Sequence, residues 1–244
     1  MSDKLILEMA VETVRAAQAA ERLGADRIEL CADLRNAGVT PGVELMLATR
    51  AVVKIPIHAM IRPRPGDFTY TKAEVEEMRD SIEVAHLNEM DGIVLGVLNI
   101  NQTVNVEVTK ELIQAAHPLP VTFHRAFDLC TDKGKALEDC ICAGAKRILT
   151  SGGATQALLG LATLKTLIEA SKQRILIMPG GGINPDNLRK VRKATGATEF
   201  HSGLGTVLDY GSSEIPIFEE HVRRLLACLD RHECTTPDSS HADR

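Results

Sequence analysis

The sequence predicts an α/β protein, a single (β/α)8 TIM barrel, and three observations carry that prediction. Short β-branched runs alternate with helical patterns along the whole chain. Eight such units fit into about 230 residues, close to the roughly 250 typical of this architecture. The competing doubly wound sheet usually carries a Gly-rich fingerprint after its first strand, and Met9-Ala10-Val11-Glu12 has none.

The elements follow in order. A strand over 5–10 leads to a helix over 13–23, which Gly24 can close in a left-handed cap. Ala25-Asp26 then opens a second strand over 27–31, and a helix over 42–53 starts after Pro41. A third strand over 55–62 precedes a helix over 72–88, and a fourth over 92–98 precedes a helix over 105–116, stopped ahead of Pro118. The fifth strand, 119–125, is followed by a helix over 132–143 that Gly144 ends. The sixth, 147–152, is followed by a helix over 155–170. After the seventh strand, 174–180, Asn184-Pro185 reads as an N-cap with Pro at the first helical position, opening a helix over 184–194 closed by Gly196. The eighth strand, 197–203, and a helix over 214–230 complete the series. No linker divides the chain, so residues 1–230 are expected to form one domain, with a loosely ordered polar tail over 231–244.

Composition excludes several partners. Among 244 residues, 44% are hydrophobic and 25% charged, enough to bury a sizeable core. A net charge of −5, with 3% aromatics and no Trp, argues against nucleic acid. No apolar run approaches the roughly 20 residues that span a bilayer, which argues against a membrane partner. The start of the chain lacks a basic-then-apolar signal pattern, so a cytoplasmic location is expected. In that reducing setting Cys31, Cys130, Cys140, Cys142, Cys228 and Cys234 are expected as free thiols. Cys140 and Cys142, two apart on a helix, diverge and make a poor zinc clamp.

Strand parity points to the site. In the second strand Arg27, Glu29 and Cys31 alternate with Ile28 and Leu30; in the third His58, Met60 and Arg62 alternate with Ile57, Ala59 and Ile61. Thr122 and His124 in the fifth strand, and Glu199 and His201 in the eighth, share the pattern. Barrel strands are covered outside by helices, so the polar parity should face inward. Glu8, Glu29, Cys31, Arg62, His124, Arg125 and His201 then lie toward the C-terminal mouth, where barrel active sites form. The plainer alternative is a buried polar network that satisfies itself. Glu29 and His124 are candidate catalytic acid–base groups, with Asp128 as an orienting carboxylate. Arg62 and Arg64 flank a turn suited to a carboxylate or phosphate. Gly180, Gly181 and Gly182 after the seventh strand, with Ser202 after the eighth, lie where barrels bind phosphate, so these six residues form a candidate anion site.

Several segments together resemble the CutC copper homeostasis family: Gly24-Ala25-Asp26-Arg27-Ile28-Glu29-Leu30-Cys31, Met60-Ile61-Arg62-Pro63-Arg64, Gly66-Asp67-Phe68 with Tyr70, Pro120-Val121-Thr122-Phe123-His124-Arg125-Ala126-Phe127-Asp128, Leu149-Thr150-Ser151-Gly152, Met178-Pro179-Gly180-Gly181-Gly182-Ile183 and Glu199-Phe200-His201-Ser202. The resemblance runs through about residues 5–203. It implies a TIM barrel, a cytoplasmic role in copper tolerance, delivery or efflux, and copper(I) as the bound ion, with Cys31 matching a family thiol. Many members carry a further Cys on the first strand where this chain has Ala10, and a longer loop where it has 203–213. The remaining ligand is then expected from a nearby Met or His, or from a second subunit of a homo-oligomer. The residues alone leave a second class open: a barrel enzyme acting on a small anionic or phosphorylated metabolite by acid–base chemistry.

Overall fold

A computed structural model describes residues 4–203 and 214–229. The tail over 231–244, Cys234 and most of the short loop over 203–213 lie outside the described residues. Strands β1 (Ile6–Val11), β2 (Arg27–Leu30), β3 (Ile57–Met60), β4 (Gly92–Leu95), β5 (Val121–Phe123), β6 (Arg147–Thr150), β7 (Leu176–Pro179) and β8 (Glu199–Ser202) form one parallel sheet. Helices α1 (Val14–Leu23), α2 (Val43–Arg50), α3 (Lys72–Leu87), α4 (Val106–Ala116), α5 (Lys133–Ala143), α6 (Leu161–Ser171), α7 (Leu188–Thr195) and α8 (Ile215–Leu229) follow the strands in turn. The ladder runs β7-β6-β5-β4-β3-β2-β1-β8, and β7 packs against β8 without a ladder of its own, so the barrel is nearly closed.

The expected alternation holds. Leu7, Met9, Ile28, Leu30, Ile57, Ile93, Phe123, Ile148 and Phe200 join Ala20, Met78, Leu112, Leu164, Val191 and Phe218 of the helices in one buried cluster. Burying that apolar parity outside the barrel turns the polar parity inward. Gly24, Gly144 and Gly196 close α1, α5 and α7 in the left-handed conformation, as the sequence predicts.

Several strands are shorter than expected, β4 ending at Leu95 and β5 at Phe123, and two helices start later. Helix α7 begins at Leu188 rather than near Asn184. The Asn184 Oδ1 accepts the Asp186 N–H and its carbonyl accepts the Leu188 N–H, so 184–187 form a turn ahead of the helix. Helix α6 starts at Leu161, because Ala157–Leu159 wind as a separate 3-10 turn ended by Gly160. A Cβ on Gly160 would lie 1.9 Å from the Ser151 carbonyl, a close approach that a regular helix over 155–170 would not leave room for.

The interior is shaped by β4, whose inward positions Gly92 and Gly96 lack side chains. A Cβ at Gly92 would stand 2.5 Å from the His58 ring, and one at Gly96 would stand 2.5 Å from Nδ1 of His124. The two imidazoles, from β3 and from the end of β5, therefore lean over β4. Gly92→Ala is expected to destabilise the fold by about 1–3 kcal/mol through overpacking, measured by urea unfolding. Combining it with His58→Ala should give a clearly non-additive loss. Wild-type stability for Gly92→Ala would show that the ring is not held there.

Candidate functional site

The floor of the barrel is a polar network built by five strands. Arg27 of β2 donates through Nε to Glu8 of β1 and through Nη2 to Glu199 of β8 at 2.8 Å. Arg147 of β6 donates to Glu199 at 2.6 Å and to the Thr122 hydroxyl of β5 at 3.2 Å. Burial alone would raise the carboxyls of Glu8 and Glu199. For Glu8 the Arg27 charge and the His201 contact outweigh burial and hold it well below its ordinary range; for Glu199 the Arg147 contact does the same. Both stay ionised, and each guanidinium has a carboxylate. For these residues the plainer expectation of a self-satisfying network describes the geometry.

One carboxyl stands outside that balance. Glu29 of β2 is 3% exposed, and its Oε2 has no hydrogen-bond partner. Burial pushes it up to about 7 against the pull of His201. His201 Nδ1 lies 2.8 Å from Glu8 Oε1, and it is raised because Glu29 and Glu8 outweigh the burial that would lower it. Glu8, Glu29 and His201 bring ligand-type atoms within 4.8 Å of one another. Among the described residues this is the only such trio of His, Cys or carboxylate groups. Its donors are oxygen and imidazole, poorly matched to a soft ion, and Arg27 already neutralises Glu8. Within the trio Glu29 and His201 are both raised, so each holds its proton more tightly than it would in water.

Above the floor lies a dry patch of Ala10, Cys31, Leu34, Met60 and Val94. Glu29–His58 and Leu30–Ala59 are register partners, so Cys31 and Met60, the next residues on β2 and β3, stand side by side. A Cβ on Gly38 would lie 3.4 Å from Cys31 Sγ and 3.6 Å from Met60 Cε, so this glycine's backbone covers both. Burial, then Glu29 and Glu12, push the Cys31 thiol well above its ordinary value, and its proton points to the Val11 carbonyl at 3.6 Å.

The mouth holds a second group of polar atoms. Arg62 is 3% exposed; its Nη atoms donate to the carbonyls of Asn36, Gly38 and Gly66 at 2.8–2.9 Å, and its Nε has no partner. His124 accepts the Ala126 N–H on Nδ1 at 3.2 Å. Burial, with help from Arg62, lowers it to about 3, so the ring is neutral with its hydrogen on Nε2, which is also unpartnered.

The other expected residues are placed elsewhere. Arg64 is drawn outward to Glu74, the capping residue of α3, and to Asp67 at 3.1 Å. Asp128 does not touch His124. It accepts from Arg125 Nε at 2.8 Å, from Ser151 N and Gly153 N at 3.0 Å, and from the Thr150 hydroxyl, and so clamps the β6 loop. Arg125 crosses that clamp to Ser151 and packs over Gly181. The Ser202 hydroxyl faces the helical layer, donating to Ile183 O at 2.7 Å beside His221. Gly180 is pressed against Leu149 and His201, and Gly182 against Gln156. The expected gathering of Arg62, Arg64, Gly180, Gly181, Gly182 and Ser202 around one anion is therefore not what the fold makes. Arg147 and Tyr70 carried no role at the sequence level. The signal for Arg147 was its place in the inward parity of the sixth strand.

A parallel (β/α)8 barrel with a charged floor and a mouth of sulfur and unpartnered donors defines a barrel protein with an interior site. The chain matches the CutC family model over residues 5–206, and it belongs to the CutC family. It is 45% identical over 206 residues to the human copper homeostasis protein cutC homolog, covering 84% of this chain and 76% of that one. It is 41% identical over 219 residues to the family protein CutC of Xanthomonas axonopodis pv. citri, covering 90% of each. A crystal structure of CutC from Streptococcus agalactiae superposes with a TM-score of 0.78 at 30% identity, covering 83% of this chain and all of that one. The thiamine phosphate pyrophosphorylase of Pyrococcus furiosus, at 16% identity and a TM-score of 0.61, shares the fold.

Glu29 sets a pH dependence. Its folded value of about 7 lies above its unfolded one. Its favourable contribution is therefore complete below the ordinary carboxylate range and is lost as pH rises through about 7. Relative to Glu29→Gln, the wild type should lose roughly 3 kcal/mol of unfolding free energy between pH 4 and 8. The raised His201 acts in the same direction. A pH-independent difference between the two proteins would show that Glu29 ionises normally.

Proposed function

We propose that this chain is a cytoplasmic copper(I)-binding protein of copper homeostasis, with Cys31 as its thiolate ligand and Met60 as the neighbouring thioether. The observation that carries this reading is the buried sulfur pair at the top of β2 and β3. Copper(I) is soft and favours thiolate and thioether donors in a dry setting, which is the chemistry of this patch. The relatives' names point the same way, and with Ala10 on the first strand, Met60 is the second sulfur of the patch. Binding must displace the thiol proton. Glu29 in its ionised form, whose charge reaches Cys31 and whose Oε2 has no other partner, would accept it. A further ligand from a second subunit would complete the coordination.

The test is competition with a copper(I) chelator under reducing conditions. Wild type should take up one ion per chain. Cys31→Ser should weaken binding at least tenfold, since a hydroxyl is a hard, protonated donor, and Met60→Leu should weaken it several-fold. Cys140→Ser and Cys142→Ser should bind as wild type. Equal uptake by wild type and Cys31→Ser would overturn the proposal.

A further inference from the structure

The mouth of the barrel holds a buried cation, Arg62, with no counter-charge among the described residues. Arg62 is 3% exposed, and among the described residues no carboxylate lies within ion-pair distance of it. Its three carbonyl partners hold the guanidinium in place but supply no charge, and they leave Nε–H without a well-aligned acceptor. An unpaired buried charge is costly, so a fold that builds one commonly does so for a ligand.

Two more polar groups stand beside it. His124 is 4% exposed and carries an unpartnered Nε2–H. The Tyr70 hydroxyl is buried and makes no well-aligned hydrogen bond; its one polar neighbour is the Arg62 guanidinium, which lies close enough for a loose side-chain contact. Phe68 links them: the Arg62 guanidinium lies 4.8 Å from its ring centroid and the His124 ring 4.9 Å from it. Gly96 leaves the space that the His124 ring occupies. A water could satisfy the hydrogens but not the charge.

We propose that Arg62, His124 and Tyr70 form a binding site for the carboxylate group of a small monoanionic metabolite. One positive charge surrounded by neutral donors matches a monoanion. A carboxylate offers about four lone-pair positions on two oxygens, enough for these three donors. A phosphate dianion would retain uncompensated charge here. This site differs from the one expected from the glycines after β7, and it is independent of the sulfur pair.

The experiment titrates metal-free protein with acetate, pyruvate and inorganic phosphate, followed by calorimetry and by thermal unfolding. The carboxylates should bind with measurable heat and raise Tm, and phosphate should bind at least tenfold more weakly. Tyr70→Phe keeps the ring and removes the hydroxyl. His124→Asn keeps an acceptor for the Ala126 N–H and withdraws the Nε2 donor. Each should weaken carboxylate binding by about three- to tenfold, the loss of one hydrogen bond. Arg62→Lys keeps the charge but loses Nε–H, with a loss of tenfold or more expected; if it does not fold, the other two variants still decide. Cys31→Ser should bind the carboxylates as wild type does, which separates this site from the copper reading. Absence of carboxylate binding through the tens-of-millimolar range, or binding unchanged in both Tyr70→Phe and His124→Asn, would overturn the site. Tighter binding of phosphate would overturn the carboxylate assignment.

Discussion

The Arg27 guanidinium ties together β1, β2 and β8 beside the seam where β7 and β8 lack a backbone ladder. Parallel strands normally close a barrel by hydrogen bonding all the way round. Here β7 and β8 pack together without such pairing, and side chains span the seam. Arg27 reaches Glu199 of β8 and touches the Met178 sulfur of β7 at 3.3 Å, while Arg147 reaches from β6 past β7 to the same Glu199. Desolvating these charges is expensive, and their pairing offsets that cost only while every partner stays in place. The network therefore constrains strand order and register more than it adds stability.

That floor dictates the chemistry above it. Once Glu8 and Glu199 are neutralised by the two arginines, Glu29 has no cation of its own and keeps its proton into the neutral range. His201, tied to Glu8, is raised as well. Both groups therefore hold their protons more tightly than in water, in a dry cavity just beneath Cys31. A proton released there has a nearby acceptor.

The sulfur pair and the unpaired cation share a wall. Gly38 covers Cys31 and Met60, and the carbonyl of the same residue accepts from Arg62 at 2.8 Å. The segment around Leu34–Asn36 thus contributes its apolar side chain to one site and its backbone dipoles to the other. The two proposed sites therefore draw on the same short segment.

Much of this protein was legible in its sequence. Strand parity alone turned Glu8, Glu29, His124 and His201 inward, since a helical layer must cover the apolar parity of Ile28, Ile57 and Phe200. Glycines at the helix ends located α1, α5 and α7 because only a residue without a Cβ turns left-handed at little cost. The partners of each polar group were not legible. Arg64 and Arg62 sit two residues apart, yet one pairs with Glu74 on the surface and the other is buried without a carboxylate. Ser202 follows His201 directly, yet strand pleat sends it to the helices. Periodicity is a local property of the chain and declares which face a residue takes. Which charges meet across a barrel depends on contacts such as Arg147 with Glu199, 52 positions apart, and only the closed tertiary structure brings those together.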